Sequence, residues 1–227
     1  MQLNAGNNLS ANIDEAVHQV ASAAAAGAGF VALPENALFM PENAADARAH
    51  AAPEHAHTGV AAMREAASNS SIWLLAGTIA VEVDDGRLAN RSLVIAPDGS
   101  IAARYDKIHM FDVDIPGEQP YRESETYRPG RAAVTVDLPC MRMGLSVCYD
   151  LRFPSLFQSL AHAGATMLAV PSAFTAATGA AHWHALLRAR AIETGCYVIA
   201  PAQCAAHPGN RRTYGHAMII SPWGNVL

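Results

Sequence analysis

The chain is punctuated by apolar runs too short for helices, each stopped by a residue that cannot continue it. Phe30-Val-Ala-Leu33 runs into Pro34-Glu35-Asn36, Met143-Gly-Leu-Ser-Val147 into Cys148, and Thr166-Met-Leu-Ala-Val170 into Pro171. Short apolar runs bounded by turn formers read as buried strands. Ile72 to Val83 reads as another strand, closed by the turn Asp84-Asp85-Gly86. Asn90 to Ala96 and Ile101 to Tyr105 flank Pro97-Asp98-Gly99-Ser100, a hairpin signature. Ala133 to Leu138, Tyr197 to Ala200 and His216 to Ser221 complete the strands. Between them lie segments with helical punctuation. Asn12 to Gly27 has Ser10 or Asn12 as cap, Thr58 to Ser68 follows, Pro154 to His162 opens on proline, and Ala180 to Thr194 stops at Gly195. Alternating helices and strands with hairpins included predict an α/β fold with mixed sheets. No repeat, low-complexity tract or linker divides the chain, so one domain over residues 1–227 is expected.

Composition narrows the partners. Hydrophobic residues make up 51% of the 227, enough for a sizeable core, and charged residues only 15%. A net charge of -5 gives no footing for nucleic acid or an anionic membrane. No apolar run approaches the roughly 20 residues that cross a bilayer. The start MQLNAGNNLS lacks a basic stretch followed by an apolar core, so a cytoplasmic location is the default expectation. Cys140, Cys148, Cys196 and Cys204 form no CxxC pair, and are expected to be reduced thiols, three of them ordinary.

The residues just past strand ends are the informative ones, because catalytic groups of α/β sheets collect there. Glu35 follows VALP, Lys107 follows IAARYD, and Cys148 follows GLSV. A thiol needs a base to become a nucleophile, a carboxylate can be that base, and an ammonium can hold an oxyanion. The backbone N–H of Tyr149 is a natural second oxyanion donor. Each residue alone has a plainer reading: a packed thiol, a solvated loop carboxylate, a surface lysine. Lys107 also opens a long irregular segment, to Arg131, with three prolines, and connections of that length are usually functional.

In that order and spacing, LPEN, YDKIHMFDV and GLSVCYDLRFPSLF resemble the signatures of the nitrilase superfamily of carbon–nitrogen hydrolases, over essentially the whole chain. The resemblance implies a four-layer αββα sandwich with two mixed sheets. It implies Glu35 as general base, Lys107 as oxyanion stabiliser and Cys148 as nucleophile, with no cofactor and no metal. It adds Glu123, the glutamate of a Glu-Ser pair ahead of Pro129-Gly130; taken alone, Glu123 is equally one more loop charge. The turn at Cys148 is expected to expose the thiol and favour its thiolate. Tyr-Asp-Leu-Arg-Phe-Pro after the cysteine is similar to the Nit amidase branch. PSAF, RARAIET and the ending AQC resemble members that cleave deaminated glutathione to 2-oxoglutarate and cysteinylglycine; omega-amidase action on 2-oxoglutaramate is the alternative. Relative to the family pattern, a first and a last strand are expected to be missing. A homodimer or larger homo-oligomer is implied.

Other residues receive weaker assignments. Ser172 and Phe174 follow a strand end and are candidates to line the substrate pocket, with packing the equal alternative. Asp150 and Arg152 are expected to orient the turn, and Arg190 with Glu193, at i, i+3 spacing, to form a support pair. His182 and His184 point to different faces of a helix and lack a third ligand, so no metal is expected. Arg211 and Arg212 could attract a substrate carboxylate, but a solvated loop over His207 to Thr213 is the plainer expectation. Trp223 is expected to pack in its turn. Two other classes remain open: a non-enzymatic interaction protein with the same fold, and a different thiol enzyme, redox or Cys–His, with His109 or His182 as base.

Overall fold

A computed structural model of the protein describes residues 1–114 and 120–227. The Ile115-Pro116-Gly117 end of the lysine motif lies outside the described residues.

Strands β1 (Phe30–Ala32), β2 (Trp73–Leu75), β3 (Ile79–Glu82), β4 (Leu88–Ile95) and β5 (Ile101–Asp106) form one mixed sheet. β1 and β2 are parallel, and β4 runs antiparallel to β2, β3 and β5. Side chains alternate across a strand, and here both faces are apolar. Val31, Leu33, Leu74, Ala76, Leu93 and Ile95 pack on one side, Ala32, Leu75 and Val94 on the other. A sheet covered on both faces explains why these strands read as unbroken apolar runs. Helices α1 (Leu9–Ala25) and α2 (Thr58–Ser70) cover the first side.

The second sheet contains β6 (Thr135–Leu138), β7 (Met141–Leu145), β8 (Met167–Ala169), β9 (Tyr197–Ala200) and β10 (Met218–Ile220). β7, β8 and β9 are parallel, with an antiparallel strand at each edge. Helices α3 (Pro154–His162) and α4 (Ala176–Thr194) pack on it. Ala32, Leu75, Val94 and Tyr105 of the first sheet join Leu145, Val147, Leu168 and Val198 of the second in one buried cluster. The order is therefore helices, sheet, sheet, helices: the expected αββα sandwich. Strand Gln2–Leu3 pairs with Ala202–Ala206, which forms a hairpin with Arg212–Tyr214.

Several boundaries differ from the sequence reading. α1 begins earlier, capped by Asn8, whose side chain accepts from the Ala11 N–H; Asn12 instead bonds Gly6 and Leu38. The expected strand Ile72 to Val83 is broken into β2 and β3 at Gly77, which has φ +65°. A side chain there would overlap the Pro34 carbonyl, so the break lets the Leu33-Pro34-Glu35 turn lie against the sheet. Ala44–His50 is a short helix with no apolar periodicity to announce it. Trp223 is 84% exposed: its turn packs Gly224 against Ile192 and leaves the indole outside.

Candidate active site

Three strand ends converge on one cavity of about 930 Å³. β1 delivers Glu35, β5 delivers Lys107 as its next residue, and β7 leads through Ser146 and Val147 to Cys148. All three side chains are buried within the protein yet line the cavity. Glu123 comes from the loop between β5 and β6, opening the single turn Glu123–Glu125.

The ammonium of Lys107 ties the set together. Its Nζ donates to Glu35 Oε1 at 3.0 Å, and lies 3.0 and 2.8 Å from the two oxygens of Glu123. Asn90 Nδ2 bridges the same carboxylates, at 3.0 Å to Glu35 and 3.2 Å to Glu123. The Asn90 backbone carbonyl also accepts from the Lys107 N–H. Asn90 was invisible to the sequence reading, since an asparagine inside an apolar strand carries no motif. Backbone donors complete the cage: the Ala173 N–H donates to Glu35 Oε2 at 2.9 Å, and the Phe111 N–H to Glu123 Oε2 at 2.6 Å.

Charge states follow from this packing. Burial pushes the Glu35 carboxyl up, but the Lys107 ammonium, the Cys148 thiol hydrogen bond and Arg211 together draw it below the ordinary value. Burial also works against the Lys107 ammonium, and the two glutamates more than offset it, holding its pKa well above the usual range. The Cys148 thiol is pushed far up, first by burial and then by the Glu35 charge. With the thiol pushed up and the carboxyl drawn down, the resting site is a protonated thiol beside a carboxylate and an ammonium. Against the expectation that the turn favours the thiolate, desolvation and the adjacent Glu35 anion push the thiol up.

The turn that carries Cys148 is strained and braced. Cys148 has φ +49°, a left-handed conformation costly for a residue with a Cβ. Asp150, fully buried, accepts four bonds: from the Val147 N–H and Tyr105 Oη on Oδ2, and from the His109 N–H and ring Nδ1 on Oδ1. Arg190 donates through Nε and Nη2 to the Leu151 carbonyl, and pairs with Glu193 at 2.7 Å. Arg152 lies over the rings of Tyr149 and Phe174 and reaches His182. The Cys148 N–H is spent on Pro171 O and the Asp150 N–H on Val147 O, while the Tyr149 N–H has no bond of this kind among the described residues.

Phe174 and Tyr149 line the cavity, but Ser172 does not. Ser172 is fully buried with its hydroxyl turned back to the Val170 carbonyl, so its place is in the packing rather than the pocket. His109 is held by Asp150 and stacked on Phe153, and His182 meets Arg152; neither hydrogen-bonds Cys148. Arg211 departs from the solvated loop expected of it: it lines the cavity and its charge is felt at Glu35.

Comparisons with known proteins identify the family and the fold. The profile of the family described as carbon-nitrogen hydrolase matches residues 1–227. A deaminated glutathione amidase of Yersinia enterocolitica is 43% identical, the match spanning 100% of this chain and 80% of that protein. The omega-amidase of Homo sapiens is 37% identical over 100% of this chain and 81% of its own length. The crystal structure of the C. elegans NitFhit protein superposes with TM-score 0.92 at 39% identity, covering 99% of this chain and 55% of that one. A Saccharomyces cerevisiae member of branch 10 of the nitrilase superfamily superposes with TM-score 0.87 at 29% identity, over 99% of this chain and 81% of that one.

Proposed function

The chain belongs to the carbon–nitrogen hydrolase family, and on that premise we propose that it is a thiol amidase using Glu35, Lys107, Cys148 and Glu123, with deaminated glutathione as substrate. The observation that carries the mechanism is the cluster itself: Cys148 and Glu35 lining one cavity, with the Lys107 ammonium bonded between Glu35 and Glu123. Glu35 takes the thiol proton as sulfur attacks the amide carbon. The oxyanion is met by the Tyr149 N–H and by the charge of Lys107, whose Nζ is within bonding distance of one Glu35 oxygen and both Glu123 oxygens and turns a donor from Glu123 to the substrate as the oxyanion forms. The C–N bond breaks as Glu35 returns the proton to the departing amine, leaving an acyl thioester on Cys148. Glu35 then deprotonates water, which attacks the thioester; the acid leaves and the thiol is reprotonated. Glu123 holds Lys107 in place and keeps it protonated.

Phe174, Tyr149 and Arg152 shape the cavity wall, and Asp150, Arg190 and Glu193 brace the nucleophile turn. The substrate reading draws on the named relatives; the omega-amidase reading on 2-oxoglutaramate is the second. Purified protein should be given both substrates side by side, with Cys148→Ala as control. Faster release of cysteinylglycine than of ammonia supports the first reading, the reverse supports the second, and turnover of neither removes both. A homodimer, or larger homo-oligomer, in the cytoplasm belongs to the same proposal. Exposed Ile192, Tyr197, Ile219 and Trp223 support self-association, and a monomeric mass in sedimentation would remove that part. Among the described residues no helix is long and apolar enough to cross a membrane.

A further inference from the structure

We propose that Arg211 seats a carboxylate of the substrate and so selects which amides the Cys148 site accepts; this rests on the amidase reading above. The guanidinium lies in the same cavity as Cys148, and its Nη2 donates to the Ala173 carbonyl at 3.3 Å. The N–H of that same residue holds Glu35, so the single residue Ala173 links Arg211 to Glu35.

Arg211 is under-used where it stands. Its Nε is buried with no hydrogen-bond partner, and it forms no ion pair among the described residues. Glu35 and Glu123 are already bound by Lys107, Asn90 and backbone N–H groups. The three other arginines of the cavity wall stand differently: Arg122 pairs with Asp114, Arg152 stacks on rings, and Arg212, the next residue, is exposed. The sealed Nε is not the atom a cavity ligand would meet; the Nη edge is, and its one bond among the described residues is that of Nη2 to Ala173, which leaves Nη hydrogens for a ligand to accept from. The planar fork of donors fits a carboxylate two-handedly.

The side chain is also pre-positioned. Arg211 closes the turn of the hairpin Ala202–Ala206/Arg212–Tyr214, where its carbonyl accepts from the His207 N–H at 2.8 Å. The His207 ring bonds Thr213 Oγ1 at 2.7 Å and the Ala5 carbonyl at 2.8 Å. The turn is therefore anchored to the body of the protein, and the guanidinium meets its ligand with little left to order.

The test compares wild type and Arg211→Met on three amides. Glutaramate carries a carboxylate on the acyl part, pentanoylglycine carries one on the leaving amine, and pentanamide carries none. The substitution should lower kcat/KM for one carboxylate-bearing amide at least about tenfold more than for pentanamide, chiefly through KM. Selective loss on glutaramate places the seat on the acyl side, and selective loss on pentanoylglycine on the leaving side. Equal losses on all three overturn the proposal, for Arg211 would then act only through the charge of Glu35. A binding measurement separates this from failure of the amidase reading. Glutarate or N-acetylglycine should raise the thermal midpoint of Cys148→Ala, and not that of Cys148→Ala with Arg211→Met. Loss of that shift in the double variant supports the seat even if no amide is turned over. No shift with either acid in Cys148→Ala overturns it.

Discussion

Glu35 and Cys148 are bound by opposite pKa shifts, and this makes a test that a merely structural pair would fail. Glu35→Gln should lower kcat by about three orders of magnitude, since the base is gone. The same substitution removes an anion that pushes the thiol up, so the thiolate absorbance of Cys148 should appear at lower pH than in wild type. A variant that becomes more ionised and less active separates base catalysis from thiol activation; an unmoved titration would contradict the geometry. In wild type the acid limb of kcat/KM should lie below the ordinary carboxylate range, because the folded-state pKa of Glu35 is depressed. The linkage sign follows: Glu35 contributes stability above its unfolded pKa, and that contribution is lost as pH falls through the folded value. The residue identities were legible in their motifs. The protonation states were not, because they depend on burial and on charges, among them Lys107 and Arg211, that lie far from Glu35 in the chain.

At the scale of elements, two turns aim the chemistry. Gly77 allows β2 and β3 to break around the Pro34 carbonyl, so Gly77→Ala should distort the Glu35 turn without touching the cavity. Its positive φ and the overlap with Pro34 should together cost about 1–3 kcal/mol and most of the activity, read as a lower urea midpoint and a lower kcat. Asp150 serves the other turn. Asp150→Asn would offer two hydrogens of its own toward the four donors that the carboxylate accepts. A loss of about 3 kcal/mol is expected in denaturant unfolding, with slower alkylation of Cys148 as its turn relaxes. Unchanged stability would show that the brace is dispensable. The sequence reading found α3 and β9 to the residue, from proline at one start and an unbroken apolar run at the other. It joined β2 to β3, because a glycine in an apolar strand gives no sign of which carbonyl it must admit. It took the Arg211 turn for solvated loop, because that hairpin is polar and its partner strand Gln2–Leu3 lies about two hundred residues away.

For the molecule as a whole, the face between the sheets decides whether the strand ends meet. Val94 of the first sheet and Leu145 of the second are both fully buried in that cluster. Leu145→Ala should cost about 2–5 kcal/mol, seen as a fall in Tm. If the sheets act as one core, Val94→Ala and Leu145→Ala should be non-additive by at least about 0.5 kcal/mol in a double-mutant cycle. Strict additivity would mean that the two faces relax independently, and the shared cavity would then need another explanation.

Local pattern sufficed for the class of fold and for singling out Glu35, Lys107 and Cys148 as candidates, because periodicity, turn residues and short motifs are properties of neighbouring residues. Tertiary structure alone decided that Asn90 bridges two carboxylates, that Cys148 rests as a thiol, that Ser172 turns away, and that Arg211 turns in. Each of these depends on distances between segments far apart in the chain, and burial and charge act through space rather than along sequence.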